Sequence, residues 1–70
     1  MDARRIALLV QTAGRFESEI YISKQNRRIN AKSLMGTMAL GMMSGEEVTV
    51  EVNGADEQEA ISAIGSFLEA

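Results

Sequence analysis

Apolar and polar positions alternate with two different periods along this chain, and the change of period marks its elements. From Arg4 to Ala13 the apolar residues Ile6, Leu9, Val10 and Ala13 fall on one helical face, and Gly14 stands where a helix would stop. Glu19-Ile20-Tyr21-Ile22-Ser23 then alternates, which predicts a strand with Ile20 and Ile22 inward. Lys24-Gln25-Asn26-Arg27 reads as a polar turn and Arg28-Ile29-Asn30 as a short return strand. Leu34, Met35, Met38 and the Ala39-Leu40 pair restore helical spacing, with Ser33 placed to cap the first turn through its hydroxyl. At least one of Leu34, Met35 and Met38 is expected in the core, and Met42 and Met43 are expected to pack in the core or a loop. After a break at Ser44-Gly45-Glu46, Glu47–Val52 alternates again, with valines on one face and acids or Thr on the other. Asn53-Gly54 signals a turn. Asp56 and Glu59 form a capping-box pattern for a last helix whose apolar stripe is Ala60, Ile61, Ile64 and Leu68.

The predicted order is helix, strand, strand, short helix, strand, helix. Strands with one polar face imply an antiparallel sheet covered by helices on one side, an α+β two-layer sandwich. At 70 residues, with no repeat, linker or low-complexity stretch, the sequence predicts a single small domain with a modest core.

Composition removes several classes of function. There is no cysteine and no histidine, so disulfides, thiolate metal sites and imidazole ligands are excluded. A transition-metal site would rest on carboxylates alone; neither metal nor cofactor is expected. No apolar run reaches the length of a membrane span and no leader pattern is visible, which together with the lack of cysteine points to a cytoplasmic protein. The formal charge of −3 argues against direct nucleic-acid binding, although Arg4, Arg5 and Arg15 make the first third basic. Phe16, Tyr21 and Phe67 are too scattered to form a base-stacking platform.

The segment Asn30-Ala31-Lys32-Ser33-Leu34-Met35-Gly36-Thr37-Met38-Ala39-Leu40-Gly41 carries a more specific signal. It resembles the region around the regulatory serine of HPr, the small phosphocarrier of the bacterial sugar phosphotransferase system. Leu9-Val10-Gln11-Thr12-Ala13 resembles the first helix of that family. Gly54-Ala55-Asp56-Glu57 with Glu59-Ala60 resembles the entry to its last helix. The match runs without gaps over essentially the whole chain, and it implies the HPr-like open-faced sandwich.

Two departures from the family pattern shape the functional expectation. Where the family has its active-site motif His-Ala-Arg-Pro, this chain reads Asp2-Ala3-Arg4-Arg5. Phosphocarriage needs a nitrogen nucleophile able to hold a labile phosphoryl group; Asp2 is already anionic, has no acidic cluster around it in sequence, and is expected to cap the first helix. The family also has a first β-strand ahead of this motif, whereas the sequence starts at Met1. The resemblance places that strand at a sheet edge beside Glu47–Val52, so these residues are expected to present unpaired backbone groups and to support a weak homodimer.

The resemblance therefore implies a regulator and not an enzyme. Histidine-less relatives of catabolite-repression type keep the serine, are phosphorylated on it by HPr kinase/phosphorylase, and dock on a transcription regulator of the catabolite-control type. By that likeness Ser33 is the expected phosphorylation site, where added phosphate would meet free amides at a helix start. The expected docking surface comprises Arg4, Ala7 and Gln11 with Leu34, Met35 and Met38. The competing expectation is a degenerate or truncated HPr-like domain with a structural or accessory role.

Overall fold

The computed structural model describes residues 2–41 and 46–69. Its elements are α1 (Ala3–Gly14), β1 (Glu19–Lys24), β2 (Arg27–Asn30), α2 (Leu34–Leu40), β3 (Thr49–Asn53) and α3 (Glu57–Glu69). The sheet has the order β2-β1-β3, antiparallel throughout. Register follows the alternation of the sequence: Ile22 pairs with Ile29 on one side and with Val50 on the other, and Ile20 faces Val52. The β1–β2 hairpin turns through Gln25-Asn26, with Gln25 in the left-handed region at φ 57°.

One face of the sheet and the inner faces of the helices enclose the core. Leu9, Ala13, Ile20, Ile22, Ala31, Leu40, Ala60 and Ile64 are buried together. Val48, Val50, Val52, Phe67 and Leu68 pack around them half-buried. The opposite face of the sheet carries a polar ladder. Arg28 stacks on the Tyr21 ring at 3.9 Å and pairs with Glu51 at 3.1 Å, so charge and ring span all the strands of the order β2-β1-β3.

The two-layer α+β architecture is thus the expected one, and several local expectations are corrected. Gly14 does not stop α1; it is the last helical residue, and Arg15 caps the helix in ordinary right-handed geometry. The glycine in the left-handed cap is Gly41, at φ 69°, closing α2. The last strand begins at Thr49 and not at Glu47: its ladder with β1 runs from Thr49 opposite Ser23 to Asn53 opposite Glu19. Ile61 lies off the buried stripe of α3 and is 49% exposed; Phe67 joins the half-buried set instead. None of Leu34, Met35 and Met38 is buried. In the seven residues of α2 the inward positions go to Thr37 and Leu40. Thr37 can be buried because its hydroxyl donates to the Ser33 carbonyl at 2.8 Å. Met42, Met43, Ser44 and Gly45 lie outside the described residues.

The expected capping box on α3 is also replaced. Asp56 stands just before α3, yet its carboxylate turns to the α1–β1 connection, accepting from the Glu17 N–H at 2.9 Å, the Ser18 N–H at 3.0 Å and the buried Ser18 hydroxyl at 2.5 Å. These donors, the hydroxyl first, hold the Asp56 carboxyl below its ordinary value of 3.8, with slight desolvation opposing them. The reach back to a free amide comes from Glu57, whose carboxylate accepts from the Gly54 N–H at 3.2 Å. Gly54 itself touches the same knot: a Cβ there would lie 2.6 Å from Ser18 Cα and 2.5 Å from its Oγ.

Candidate phosphorylation and docking site

Ser33 is delivered to the surface by a connection fixed on both sides. Ala31 is fully buried, and its amide donates to the Ile20 carbonyl at 2.8 Å, continuing the β1–β2 ladder. The Asn30 side chain accepts from the Lys32 N–H at 2.8 Å, and the Ser33 N–H donates to the Asn30 carbonyl at 2.9 Å. Lys32 turns its ammonium back to the Phe16 carbonyl at 2.6 Å. The chain has no freedom left to place Ser33 elsewhere.

Ser33 then starts α2 as its N-cap. Its extended backbone (φ −97°, ψ 114°) lets the hydroxyl accept from the Gly36 N–H at 3.1 Å. This is the cap expected from sequence. The side chain is exposed, so its oxygen is bound to the helix yet open to solvent. Gly36 keeps it open, since a Cβ at that position would sit 3.2 Å from Ser33 Oγ. Behind the serine, Leu34, Met35 and Met38 are 45%, 83% and 47% exposed. An apolar, conformationally adaptable surface thus adjoins the hydroxyl. The Lys24 ammonium meets the other end of α2, donating to the Gly41 carbonyl at 2.9 Å.

The expected α1 contributors sit as a separate exposed stripe. Arg4, Ala7 and Gln11 recur every three to four residues and all are exposed. Helix α1 packs against α2, so the two exposed sets belong to neighbouring helices of one layer. Buried Leu9, Ala13 and Leu40 hold these helices in the core below.

Asp2 and Arg5 have structural tasks. The Asp2 carboxylate accepts from the Arg5 N–H at 2.9 Å and caps α1, as expected. Arg5 crosses to α3, donating from Nη2 to the Phe67 carbonyl at 3.1 Å and stacking over the Phe67 ring at 4.8 Å. Its cation satisfies a carbonyl in the last turn of α3, where positive charge is favoured. Sequence reasoning missed Asn30, Lys32 and Gly36 as the residues that set Ser33. An Asx residue before an expected helix start was the available signal for the first of them. Among the described residues there is no group of His, Cys, Asp and Glu that could hold a metal ion, and no helix is long and apolar enough to cross a membrane.

Comparison with known proteins places this geometry. The family model described as the PTS HPr component phosphorylation site matches residues 1–70. The HPr-like protein Crh of Halalkalibacterium halodurans is 49% identical over 69 residues, covering 99% of this chain and 82% of its own. Crh of Bacillus subtilis is 42% identical, covering 99% and 81%. The crystal structure of B. subtilis Crh, a catabolite-repression protein described there as a dimer with a swapping domain, superposes with a TM-score of 0.91 over 99% of this chain and 79% of that one, at 42% identity. With its serine-capped second helix and its HPr-like sandwich, this chain belongs to the HPr family of the phosphotransferase system, on the side of its HPr-like, catabolite-repression members.

Proposed function

We propose that the protein is a regulatory HPr-like protein switched by phosphorylation of Ser33, acting by docking and not by carrying phosphate. The observation that carries this reading is the pairing of an exposed, helix-capping Ser33 hydroxyl with the exposed Leu34, Met35 and Met38, in a chain without histidine. A kinase/phosphorylase of the HPr type would read the apolar surface and modify the hydroxyl. The dianion formed would take the place of the hydroxyl as acceptor at the start of α2 and offer charge-assisted contacts to an Arg or Lys of a partner. That partner is a transcription regulator of the catabolite-control type. Exposed Arg4, Ala7 and Gln11 supply the polar and basic part of the contact, and the α2 residues its apolar part.

The test is incubation with HPr kinase and ATP followed by mass analysis, then binding of the modified chain to the regulator. One added phosphoryl group on Ser33, with regulator binding that depends on it, is expected. Labelling confined to another serine such as Ser18 would refute the site. No labelling at all would favour the accessory, structural reading of the domain.

A further inference from the structure

The side chains of α2 divide between two environments. Thr37 and Leu40 are its buried residues and hold it to the core. The thioethers stay outside, with Met35 83% exposed against 47% for Met38. Residues three and four apart share a helical face, so Met35 and Leu34 both adjoin Met38. Elsewhere among the described residues the exposed large apolar side chains, Leu8 on α1 and Ile61 on α3, are about half covered. Met35 is the one left almost wholly in water, and packing gives no reason for an apolar side chain there. Its chemistry does. The chain contains neither cysteine nor tryptophan, which leaves thioethers as its most readily oxidised side chains.

We propose that Met35 is a reversible oxidation site whose sulfoxide blocks the docking that leads to phosphorylation of Ser33. A peroxide is the oxidant. The Met35 sulfur gives a lone pair to one peroxide oxygen, the O–O bond breaks as the S–O bond forms, and the departing hydroxide takes up a proton to leave as water. Sulfur loses two electrons and the peroxide gains them. A soft, adaptable thioether becomes a polar sulfoxide with a strong acceptor oxygen. In the free chain that oxygen is hydrated. Under the apolar surface of a partner it loses its water and gains no donor, which opposes docking. The fold is indifferent to the change. The Gly36 N–H bond to the Ser33 hydroxyl, the Thr37 hydroxyl bond to the Ser33 carbonyl and the burial of Leu40 involve no thioether. Ser33 therefore keeps its place and its hydroxyl, while the surface beside it changes character. A sulfoxide reductase, drawing two electrons from a dithiol and releasing water, restores the thioether. The effect on signalling depends on Leu34, Met35 and Met38 forming the docking surface for the Ser33 kinase.

For the test, the chain is treated with limiting hydrogen peroxide, the excess is destroyed with catalase, and peptide mass mapping locates the added oxygen. Sulfoxide should form at Met35 ahead of Met38; oxidation of Met38 first would overturn the site. The initial rate of Ser33 labelling by HPr kinase and ATP is then compared for oxidised and untreated chains, at a chain concentration well below KM. The sulfoxide should lower this rate roughly tenfold or more, with the circular dichroism spectrum unchanged. Sulfoxide reductase should restore the rate. Met35→Leu keeps an apolar side chain that peroxide does not oxidise, and it should keep its rate after the same treatment. An equal loss of rate in that variant would place the effect at another residue and overturn the proposal. An oxidised wild-type chain labelled as fast as an untreated chain that is itself labelled at Ser33 would refute the oxidation switch alone. No labelling of the untreated chain would refute the Ser33 site, and the switch with it.

Discussion

Replacing Gly54 by alanine should damage the fold out of proportion to one methyl group. The added Cβ would stand 2.6 Å from Ser18 Cα and 2.8 Å from Ser18 Cβ, inside any real contact, and two of the atoms it meets cannot swing away by rotation of a side chain. Relief requires the β3–α3 turn to move off the α1–β1 connection, which draws Ser18 from the Asp56 carboxylate that takes both its hydroxyl and its N–H. Forced insertion into a packed site costs about 1–3 kcal/mol. Gly54 also holds φ 158°, which L-residues rarely adopt, and such backbone strain adds a cost on the order of 1–3 kcal/mol. The sum is about 2–6 kcal/mol, against a total stability for a chain this small of roughly 3–10 kcal/mol. Urea unfolding followed by circular dichroism would measure it. At the lower end of this range the Tm falls by roughly 10–15 °C, and at the upper end the cost exceeds the whole stability if that lies in the lower half of its range. Gly14→Ala is the matched control, since that residue is helical and nothing lies within 4 Å of the new Cβ. It should stabilise by about 0.4–1 kcal/mol. Similar effects from the two substitutions would refute the contact argument.

Three further outcomes follow from the sites described. Ser33→Ala should remove the cap on Gly36 and cost about 1 kcal/mol by chemical denaturation, leave the circular dichroism spectrum native, and abolish kinase labelling. Acid sensitivity should be partly assignable to Asp56. Its folded pKa is lowered, so its contribution is complete above the unfolded value and lost as pH falls from the ordinary carboxylate range through the lower folded pKa. Asp56→Asn should flatten the loss of stability between neutral pH and acid, and an unchanged pH profile of urea midpoints would refute that assignment. Enzyme I with phosphoenolpyruvate should leave the chain unlabelled, since no histidine is present and the Asp2 carboxylate is engaged as a cap; an acyl phosphate trapped on Asp2 with hydroxylamine would contradict this.

The parts legible in the sequence were those written in local periodicity. The helical face Ile6-Leu9-Ala13, the alternation around Ile20 and Ile22, and the caps at Asp2 and Ser33 all depend on neighbours within a turn or a strand. What escaped depends on distant partners. Asp56 and Glu59 have capping-box spacing, yet the donors that claim Asp56 lie on Glu17 and Ser18, brought close only by the fold. Thr37 is not among the core candidates, which are Leu34, Met35 and Met38, yet it is buried because a carbonyl one turn back satisfies its hydroxyl. Lys32 is a charged residue that reads as solvated surface, but it clamps the Phe16 carbonyl and thereby the serine beside it. Gly14 and Gly41 are equally glycine in sequence; only the chain direction after each helix decides which one must turn left-handed.

The hydrogen bond from the Arg5 amide to the Asp2 carboxylate couples positions 2 and 5 of the chain. The family motif that this segment resembles has histidine and proline at these two positions. Proline has no N–H, so a proline at position 5 leaves an Asp2 cap without its donor. It also deletes the guanidinium that ties α1 to the Phe67 carbonyl and ring. A histidine at position 2 alone, in turn, leaves the Arg5 amide without its carboxylate. Each family residue is thus unfavourable while this chain's own residue remains at the other position, and a change to the family pair by single substitutions passes through a less stable intermediate. The carboxylate at position 2 and the better-tied first helix are therefore one coupled feature, and a single substitution toward the family motif at either position meets the resistance of the other.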